Sequence, residues 1–294
     1  MSEILKSKIK GTLYGLAIGD SMGAITEFMR KSEIQKKYRK LKNLSGGGWL
    51  NLYAGEVTDP TEMTLCVCRA LKKTQTGDSH FGFEHTFLDN CCLEFTTWLN
   101  SHPVDSDFCC NRVIHACQSK PHKDWFLYAK NEKNFSYGQQ FGNGSLLRSI
   151  PLILGDKSLH TILSLSRLTH NNPVCDKYVT EFCLVMYACL DGTILKDTFA
   201  SSLPEPTRHI KNTLECAHYH LLHSDSLEKA IICAVNEGGD TDVIGAATGS
   251  LAGAYYGYEA IPERWINALD PKVKKDLDYF SDYLYSLHNL NISA

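Results

Sequence analysis

Apolar residues recur three and four positions apart along most of the chain. The pattern is clearest in LHTILSLSRL, TEFCLVMYACL, LEKAIICAV and VKKDLDYFSDYLYSL. This spacing lines one face of an α-helix, whereas the alternating runs and Asn-Gly or Asp-Gly turns of β-hairpins are nearly absent. Most of the nine prolines fall between the helical runs, and no low-complexity linker divides the chain. The sequence therefore predicts an all-α fold, a single compact helical bundle domain that spans residues 1–294.

Two of these helical runs carry glycine at every fourth position. The rows are Gly11, Gly15, Gly19 and Gly23, and then Gly245, Gly249, Gly253 and Gly257. Glycine inside a helix costs about 1 kcal/mol relative to alanine, so each row requires compensation from packing. A ridge without side chains lets another backbone approach closely. We expect the two helices to lie against each other, or against a shared neighbour, at the centre of the domain; the alternative is that each row faces a different neighbour.

Antiparallel packing of the two rows would bring acids from distant parts of the chain together. Asp20 lies in the last turn of the first row and Glu27 follows that row, while Asp240 and Asp242 precede the second. Asp59 opens another predicted helix, in GEVTDPTEM. Helix N-termini stabilise carboxylates, so capping alone can explain one acid at each helix start. If the helix starts converge, the same oxygens would suit a hard cation such as Mg²⁺ or Mn²⁺.

Composition narrows the classes of partner. The formal net charge of −3 gives no general attraction to nucleic acid or to anionic membranes. The N-terminal residues lack the pattern of a secretory signal, and no apolar run reaches the roughly 18 residues of a spanning helix. The twelve cysteines are scattered without a C-x-x-C pair. We expect a cytoplasmic monomer that binds neither membrane nor nucleic acid and uses reduced cysteines as core residues.

Five sequence blocks, taken in order, resemble those of the ADP-ribosylglycohydrolase family. They are GTLYGLAIGDSMGAITEF, GEVTDPTEM, WLNSHPVD, FGNGSLLRSIPL with LTHNNP beyond it, and VNEGGDTDVIGAATGSLAGAYYG. Together they extend over nearly the whole chain. The resemblance implies a helical bundle with a central metal site that holds Mg²⁺ or Mn²⁺.

The resemblance also implies roles for individual residues, by their position in the blocks. The implied metal ligands are Thr58, Asp59, Asp240 and Asp242. The implied catalytic acids are Glu27 and Asp105. The residues implied to surround ADP-ribose are Asn143, Gly144, Ser145 and His170.

Two positions depart from the family pattern. Pro60 stands where the family has a second aspartate, and Val243 stands where it has a threonine. Neither side chain can bind a metal, so four of six expected ligand positions remain. We expect one tightly bound ion and a weak or vacant second subsite.

The activity that the resemblance implies is metal-dependent hydrolysis of the N-glycosidic bond of an ADP-ribosylated protein, with arginine as the acceptor. The expected partners are ADP-ribose and an ADP-ribosylated protein. The two departures keep an alternative open, namely an attenuated or inactive relative that binds ADP-ribose or a modified protein as a regulatory module. A purely structural use of the scaffold is the third hypothesis.

Overall fold

Helices dominate the computed structural model, which describes residues 2–76, 82–131, 141–196, 198–199 and 202–292. Within those ranges there are fourteen α-helices and no β-strand, so the all-α prediction is confirmed. That all of residues 1–294 form a single domain stays a prediction. The helices are α1 (Ser2–Gly23), α2 (Lys31–Tyr38), α3 (Asp59–Thr76), α4 (Phe83–Asn100), α5 (Phe108–Cys117), α6 (His122–Lys130), α7 (Ile150–Leu154), α8 (Leu159–Arg167), α9 (Pro173–Leu190), α10 (Ile210–Leu222), α11 (Leu227–Val235), α12 (Thr241–Tyr256), α13 (Glu263–Ala268) and α14 (Pro271–Ile292).

The two glycine rows face each other along the contact between α1 and α12, which we call the glycine seam. A Cβ atom built on Gly15 would lie 2.0 Å from the carbonyl oxygen of Gly249, and one built on Gly19 would lie 2.0 Å from that of Gly245. Gly11 meets Gly253 in the same way. The predicted contact between the two helices is confirmed, and the alternative of separate neighbours is wrong. Residue numbers rise along one helix as they fall along the other, so the pairing is antiparallel, the arrangement that brings the acids together.

The remaining helices form a layer around the seam. Helices α9, α10 and α11 pack against α12, α3 and α14 pack against α1, and α4 packs on the outside of α3. Nearly every residue of α12 is buried, which explains why that helix is apolar all round rather than amphipathic. The seam is therefore the centre of the core.

The cysteines contribute to this core. All twelve are free thiols, and eleven of them are buried. Burial raises the pKa of several of these thiols, for example that of Cys66 to about 11, so they remain neutral at ordinary pH. Among the described residues, no helix has both the length and the apolar character needed to cross a membrane.

Candidate active site

The seam ends at a buried carboxylate, Asp20, which joins α1 to the start of α3. Its oxygens accept hydrogen bonds from the Thr58 and Thr61 amides, at 3.1 and 3.2 Å, and from both threonine hydroxyls. Asp20 thus satisfies amides at the N-terminus of α3 from a different helix. This contact fixes the position of Asp59, the first residue of α3.

Three acids predicted from the sequence meet beside this junction. Carboxylate oxygens of Glu27, Asp105 and Asp242 all lie within 4.8 Å of one another. The Oδ1 atom of Asp242 is buried and accepts no hydrogen bond from any described residue. An acceptor of this kind is costly to bury without a partner. We call these three residues the acid cluster.

The acids resist ionisation in the absence of a cation. Burial raises the pKa of Glu27 to about 7, and the negative charges of Asp105 and Asp240 act in the same direction. The hydrogen bond from Trp49 lowers this pKa but does not offset the effect of burial. Burial and neighbouring carboxylates also raise the pKa values of Asp59 and Asp242 well above their ordinary range. A bound divalent cation would stabilise the ionised forms of these groups. The acid cluster therefore fits a hard metal ion in both its atoms and its charge.

A cleft opens beside the acid cluster. Its walls include Asp59, Asp105, Asp240 and Asp242, with Pro60 and Val243 among them. Thr58 does not line this cleft, because it is buried and its hydroxyl donates to Asp20 at 2.6 Å. Its oxygen keeps free lone pairs, and its role as a metal ligand stays a prediction. The two residues that depart from the family pattern thus lie among the candidate ligands.

The loop that precedes α7 forms the opposite wall of the cleft. The Asn143 side-chain amide donates to Asp240 Oδ2 at 2.6 Å and to the Thr213 hydroxyl at 2.7 Å, so it orients Asp240. Gly144 lies on the cleft wall. Ser145 is buried, and its hydroxyl has no hydrogen-bond partner among the described residues.

His170 lies behind this loop and is fully buried. Its Nδ1 atom is 2.8 Å from the Thr169 hydroxyl, and its Nε2 atom is 3.9 Å from Asp107 Oδ1. Burial lowers the pKa of His170 to about 4, so the ring is neutral. Its Nε2 atom has no hydrogen-bond partner within the described ranges. That Asn143, Gly144, Ser145 and His170 bind a ligand stays a prediction.

Comparisons with known proteins identify the family of this chain. The family model described as ADP-ribosylglycohydrolase matches residues 1–292. ADP-ribosyl-[dinitrogen reductase] glycohydrolase of Rhodospirillum rubrum is 31% identical over 96% of both chains. The chain belongs to the ADP-ribosylglycohydrolase family. It is therefore a hydrolase that acts on a glycosidic bond, as predicted.

Further similarities agree with this membership. ADP-ribosylarginine hydrolase Tri1 of Serratia proteamaculans (strain 568) is 27% identical, over 89% of this chain and 75% of its own length. A solved structure described as an ADP-ribosylglycohydrolase-related protein complex has the same fold, with a TM-score of 0.76 and 24% identity. That comparison covers 97% of this chain and 99% of the other.

One residue of this candidate site has no signal in the sequence. The Arg208 guanidinium donates from Nε to Asp240 Oδ1 at 3.0 Å and from Nη2 to Glu27 Oε1 at 3.2 Å. It also lies 4.8 Å from the centre of the Phe28 ring, while half of its side chain remains exposed. Arg208 is thus a positive charge that the chain itself supplies to two buried acids.

A second arginine, Arg148, lines the cleft on its other side. Only 1% of this residue is exposed, yet no carboxylate of the described residues forms an ion pair with it. It donates to the Thr169 hydroxyl and to Cys110 Sγ, and its Nε atom has no partner there. A buried guanidinium without a counter-ion is costly and is suited to bind an anion. The sequence did offer a signal, since Arg148 ends the predicted GNGSLLR block.

Proposed function

We propose that this chain hydrolyses the N-glycosidic bond between ADP-ribose and an arginine side chain of a modified protein, and that the reaction depends on Mg²⁺ or Mn²⁺. The observation that carries the proposal is the acid cluster, whose three carboxylates approach within 4.8 Å. The buried Oδ1 of Asp242, which accepts no hydrogen bond from any described residue, supports cation binding at that place. The similarity to the Rhodospirillum rubrum glycohydrolase supports an ADP-ribosylated protein as the substrate, and the similarity to the ADP-ribosylarginine hydrolase Tri1 supports an arginine acceptor.

Asp242 of the acid cluster would hold the cation together with Asp59 and Asp240, which line the same cleft, and with Thr58 behind them. When bound, it would orient the distal ribose hydroxyls and lower the pKa of a water molecule. Pro60 and Val243 line the cleft without offering a side-chain oxygen. We therefore propose one tight ion and a weak second subsite.

The acids Glu27 and Asp105 would act on the sugar and on the leaving group. Cleavage at the anomeric carbon passes through an oxocarbenium-like transition state, whose positive charge nearby carboxylates stabilise. Because the pKa of Glu27 is raised to about 7, Glu27 is the acid better suited to transfer a proton at neutral pH. The hydrogen bond of 2.7 Å from the Trp49 indole to Glu27 Oε2 holds that carboxylate in place.

The opposite wall of the cleft would bind the diphosphate of ADP-ribose. Arg148 supplies a buried positive charge that no described carboxylate neutralises. Ser145 Oγ and His170 Nε2 are buried polar atoms that still need partners. Charge-assisted hydrogen bonds to phosphate oxygens are among the strongest that a protein makes. We propose that the loop at Asn143–Gly144 approaches the same group through its backbone.

The test is a time course of ADP-ribose release from an ADP-ribosyl-arginine protein, with Mg²⁺, with Mn²⁺ and with EDTA. We expect release only with a divalent ion, and a loss of at least about 10²-fold in kcat for Asp242→Asn. The control variant is Asp282→Asn, since Asp282 is an exposed acid paired with Lys6 on the surface. Release that is indifferent to EDTA, or unchanged in Asp242→Asn, would show that the proposal is wrong.

A second candidate function is ADP-ribose binding without turnover, as a regulatory module. It is favoured by Arg208, which already occupies Glu27 and Asp240, and by Pro60 and Val243 in the cleft. In that case calorimetry would detect ADP-ribose binding, while the time course would show no release. No binding at all would support a purely structural protein. Action as a cytoplasmic monomer belongs to the proposal and rests on the sequence alone.

A further inference from the structure

Away from the cleft, two imidazoles and a carboxylate meet where α4 and α6 touch. His85 and Asp89 lie one turn apart on α4, and His122 is the first residue of α6. One ligand atom from each lies within 4.8 Å of the other two. We call these three residues the α4–α6 cluster. The cluster lies near the start of α4, whereas Asp105 of the acid cluster follows the end of that helix at Asn100. The helix between His85 and Asn100 is about 20 Å long.

The carboxylate of Asp89 lies between the two imidazoles. Its Oδ1 atom accepts the His122 amide at 3.0 Å and is 2.7 Å from His122 Nδ1. Its Oδ2 atom is 3.3 Å from His85 Nδ1. Two ligands of one metal ion are separated by roughly 3 Å when each bond is about 2.0–2.2 Å long. The two separations between Asp89 and the imidazoles are therefore close to those of ligands that share an ion, and the imidazole nitrogens would need to approach by a small movement at most.

Packing holds the ligands in this arrangement. The two imidazole rings meet edge to face, with centroids 4.7 Å apart and planes at 89°. The His122 ring also packs against Phe126, at 5.5 Å. Because both sides of His122 are supported, an ion would find the site formed and would require little ordering of side chains.

The cluster is open to solvent on one side. The side chain of His122 is only 7% exposed, whereas those of His85 and Asp89 are 36% and 38% exposed. An ion can therefore enter from solvent, and water molecules can complete its coordination. An open coordination position of this kind is usual where a protein supplies three ligands.

We propose that the α4–α6 cluster binds one divalent transition-metal ion of the zinc class, through the Nδ1 atoms of His85 and His122 and the carboxylate of Asp89. Imidazole nitrogen combined with one carboxylate suits Zn²⁺, Co²⁺, Ni²⁺ or Cu²⁺, whereas Mg²⁺ and Ca²⁺ prefer oxygen ligands throughout. Both imidazoles bind as neutral rings, and any proton on Nδ1 is released to solvent as the ion enters.

The consequence is a stabilising link between two helices. The ion would tie the first residue of α6 to α4, in place of hydrogen bonds that Asp89 makes now. Since the unfolded chain does not hold the three ligands together, binding would add to the free energy of unfolding in proportion to the logarithm of ion concentration. The chain would then carry two ion sites of different chemistry, with oxygen ligands in the acid cluster and mainly nitrogen ligands here.

The test is a titration of the full-length chain with Co²⁺ in excess Mg²⁺, followed by calorimetry and by visible absorption. Excess Mg²⁺ occupies oxygen sites and leaves the imidazole site to Co²⁺. We expect one Co²⁺ per chain, competition by Zn²⁺ and a rise in the thermal unfolding midpoint. His85→Ala should weaken binding by about tenfold or more, since loss of even an outer partner of a metal ligand has that effect.

The matched control is His160→Ala. His160 Nδ1 lies 2.9 Å from Glu84 Oε2, so it forms the same kind of pair, but no third ligand joins it from the part of the chain that the structure describes. This variant should bind Co²⁺ as the unmodified chain does. Asp89→Asn is a second variant at the cluster, and it should weaken binding even if the His85 variant is compensated by water.

Three results would overturn the proposal. The first is an unmodified chain that binds no Co²⁺ in excess Mg²⁺. The second is equal Co²⁺ affinity in the unmodified, His85→Ala and Asp89→Asn chains. The third is the intense ultraviolet absorption of thiolate coordination, which would place the ion on cysteine.

Discussion

The glycine seam and the cleft at its end differ in how completely their atoms are packed and paired. In the seam, backbone contacts backbone, and a single added carbon at Gly15 would collide with the carbonyl oxygen of Gly249. In the cleft and behind its wall, four buried polar atoms have no protein partner within the described ranges; they belong to Arg148 and Asp242, which line the cleft, and to Ser145 and His170. The seam is complete without a ligand, and the cleft is not.

The difference shows how this fold separates stability from binding. Glycine forfeits helix propensity in the seam, and close packing of the two backbones offsets that cost. Close packing of the two backbones also fixes the positions of Asp20, Glu27 and Asp242, which lie at or just beyond the ends of these helices. Like charges kept this close destabilise the chain unless a cation or proton joins them. The glycine seam therefore holds the mutually repelling carboxylates of the cleft in place.

The largest expected effect comes from breaking the seam. Gly15→Val should cost at least about 4 kcal/mol of unfolding free energy, because the opposing backbone cannot move aside as a side chain would. Urea denaturation measures the loss. Thr12→Val is the control, since it places a valine of nearly the same volume as the buried threonine on the same helix. Equal stability of the two variants would show that the seam is less tight than described.

The second largest effect concerns the acid cluster, whose contribution to stability depends on pH. The pKa of Glu27 is raised from 4.5 to about 7, so the folded chain binds the extra proton more tightly than the unfolded chain does. Its contribution to stability is fully present below about pH 4.5 and is lost as the pH rises through about 7. We expect a loss on the order of 3 kcal/mol without a divalent ion, and a smaller loss with excess Mn²⁺.

Urea denaturation at a series of pH values measures this slope. Glu27→Gln should reduce it, while Glu3→Gln, at an exposed acid in the first turn of α1, should leave it unchanged. A slope that neither Mn²⁺ nor Glu27→Gln alters would mean that the acid cluster is not the source of the instability.

The smallest effect concerns Arg208, whose positive charge pairs with two buried acids. Arg208→Gln should cost about 2 kcal/mol, less than a fully buried pair because half of the Arg208 side chain is exposed. Excess Mn²⁺ should recover much of that loss by neutralising Glu27 and Asp240. Arg167→Gln is the control, because Arg167 pairs with Asp176 at 2.8 Å elsewhere in the fold. If Mn²⁺ rescues both variants equally, Arg208 has no special relation to the cation.

The seam could be predicted from the sequence because its signal is periodic. Eight glycines at four-residue intervals have few interpretations once their cost in a helix is counted. The direction of the pairing was not fixed by the rows themselves, but an antiparallel pairing would bring the acids at their ends together. The convergence of Glu27 with Asp242 depends on that same register, so it could be predicted as well.

Arg208 and the role of Asp20 could not be predicted in the same way. Arg208 lies in a segment without helical periodicity, and its partner Glu27 is 181 positions away. Asp20 was expected near Asp240 and Asp242, but its contacts to Thr58 and Thr61 depend on the angle at which α3 meets α1. Such contacts arise from tertiary packing, and no local pattern of residues encodes them.

The order of the seam along the chain has a consequence for synthesis. Gly15 and Gly249 touch, yet more than 200 residues separate them. A ribosome adds about 5–20 residues per second, so the first helix waits roughly 10–45 s for its partner to be made. During that interval its bare glycine ridge has nothing to pack against. A nascent chain of this protein must therefore acquire its central contact late, and truncation before Thr241 would remove that contact and Asp242 together.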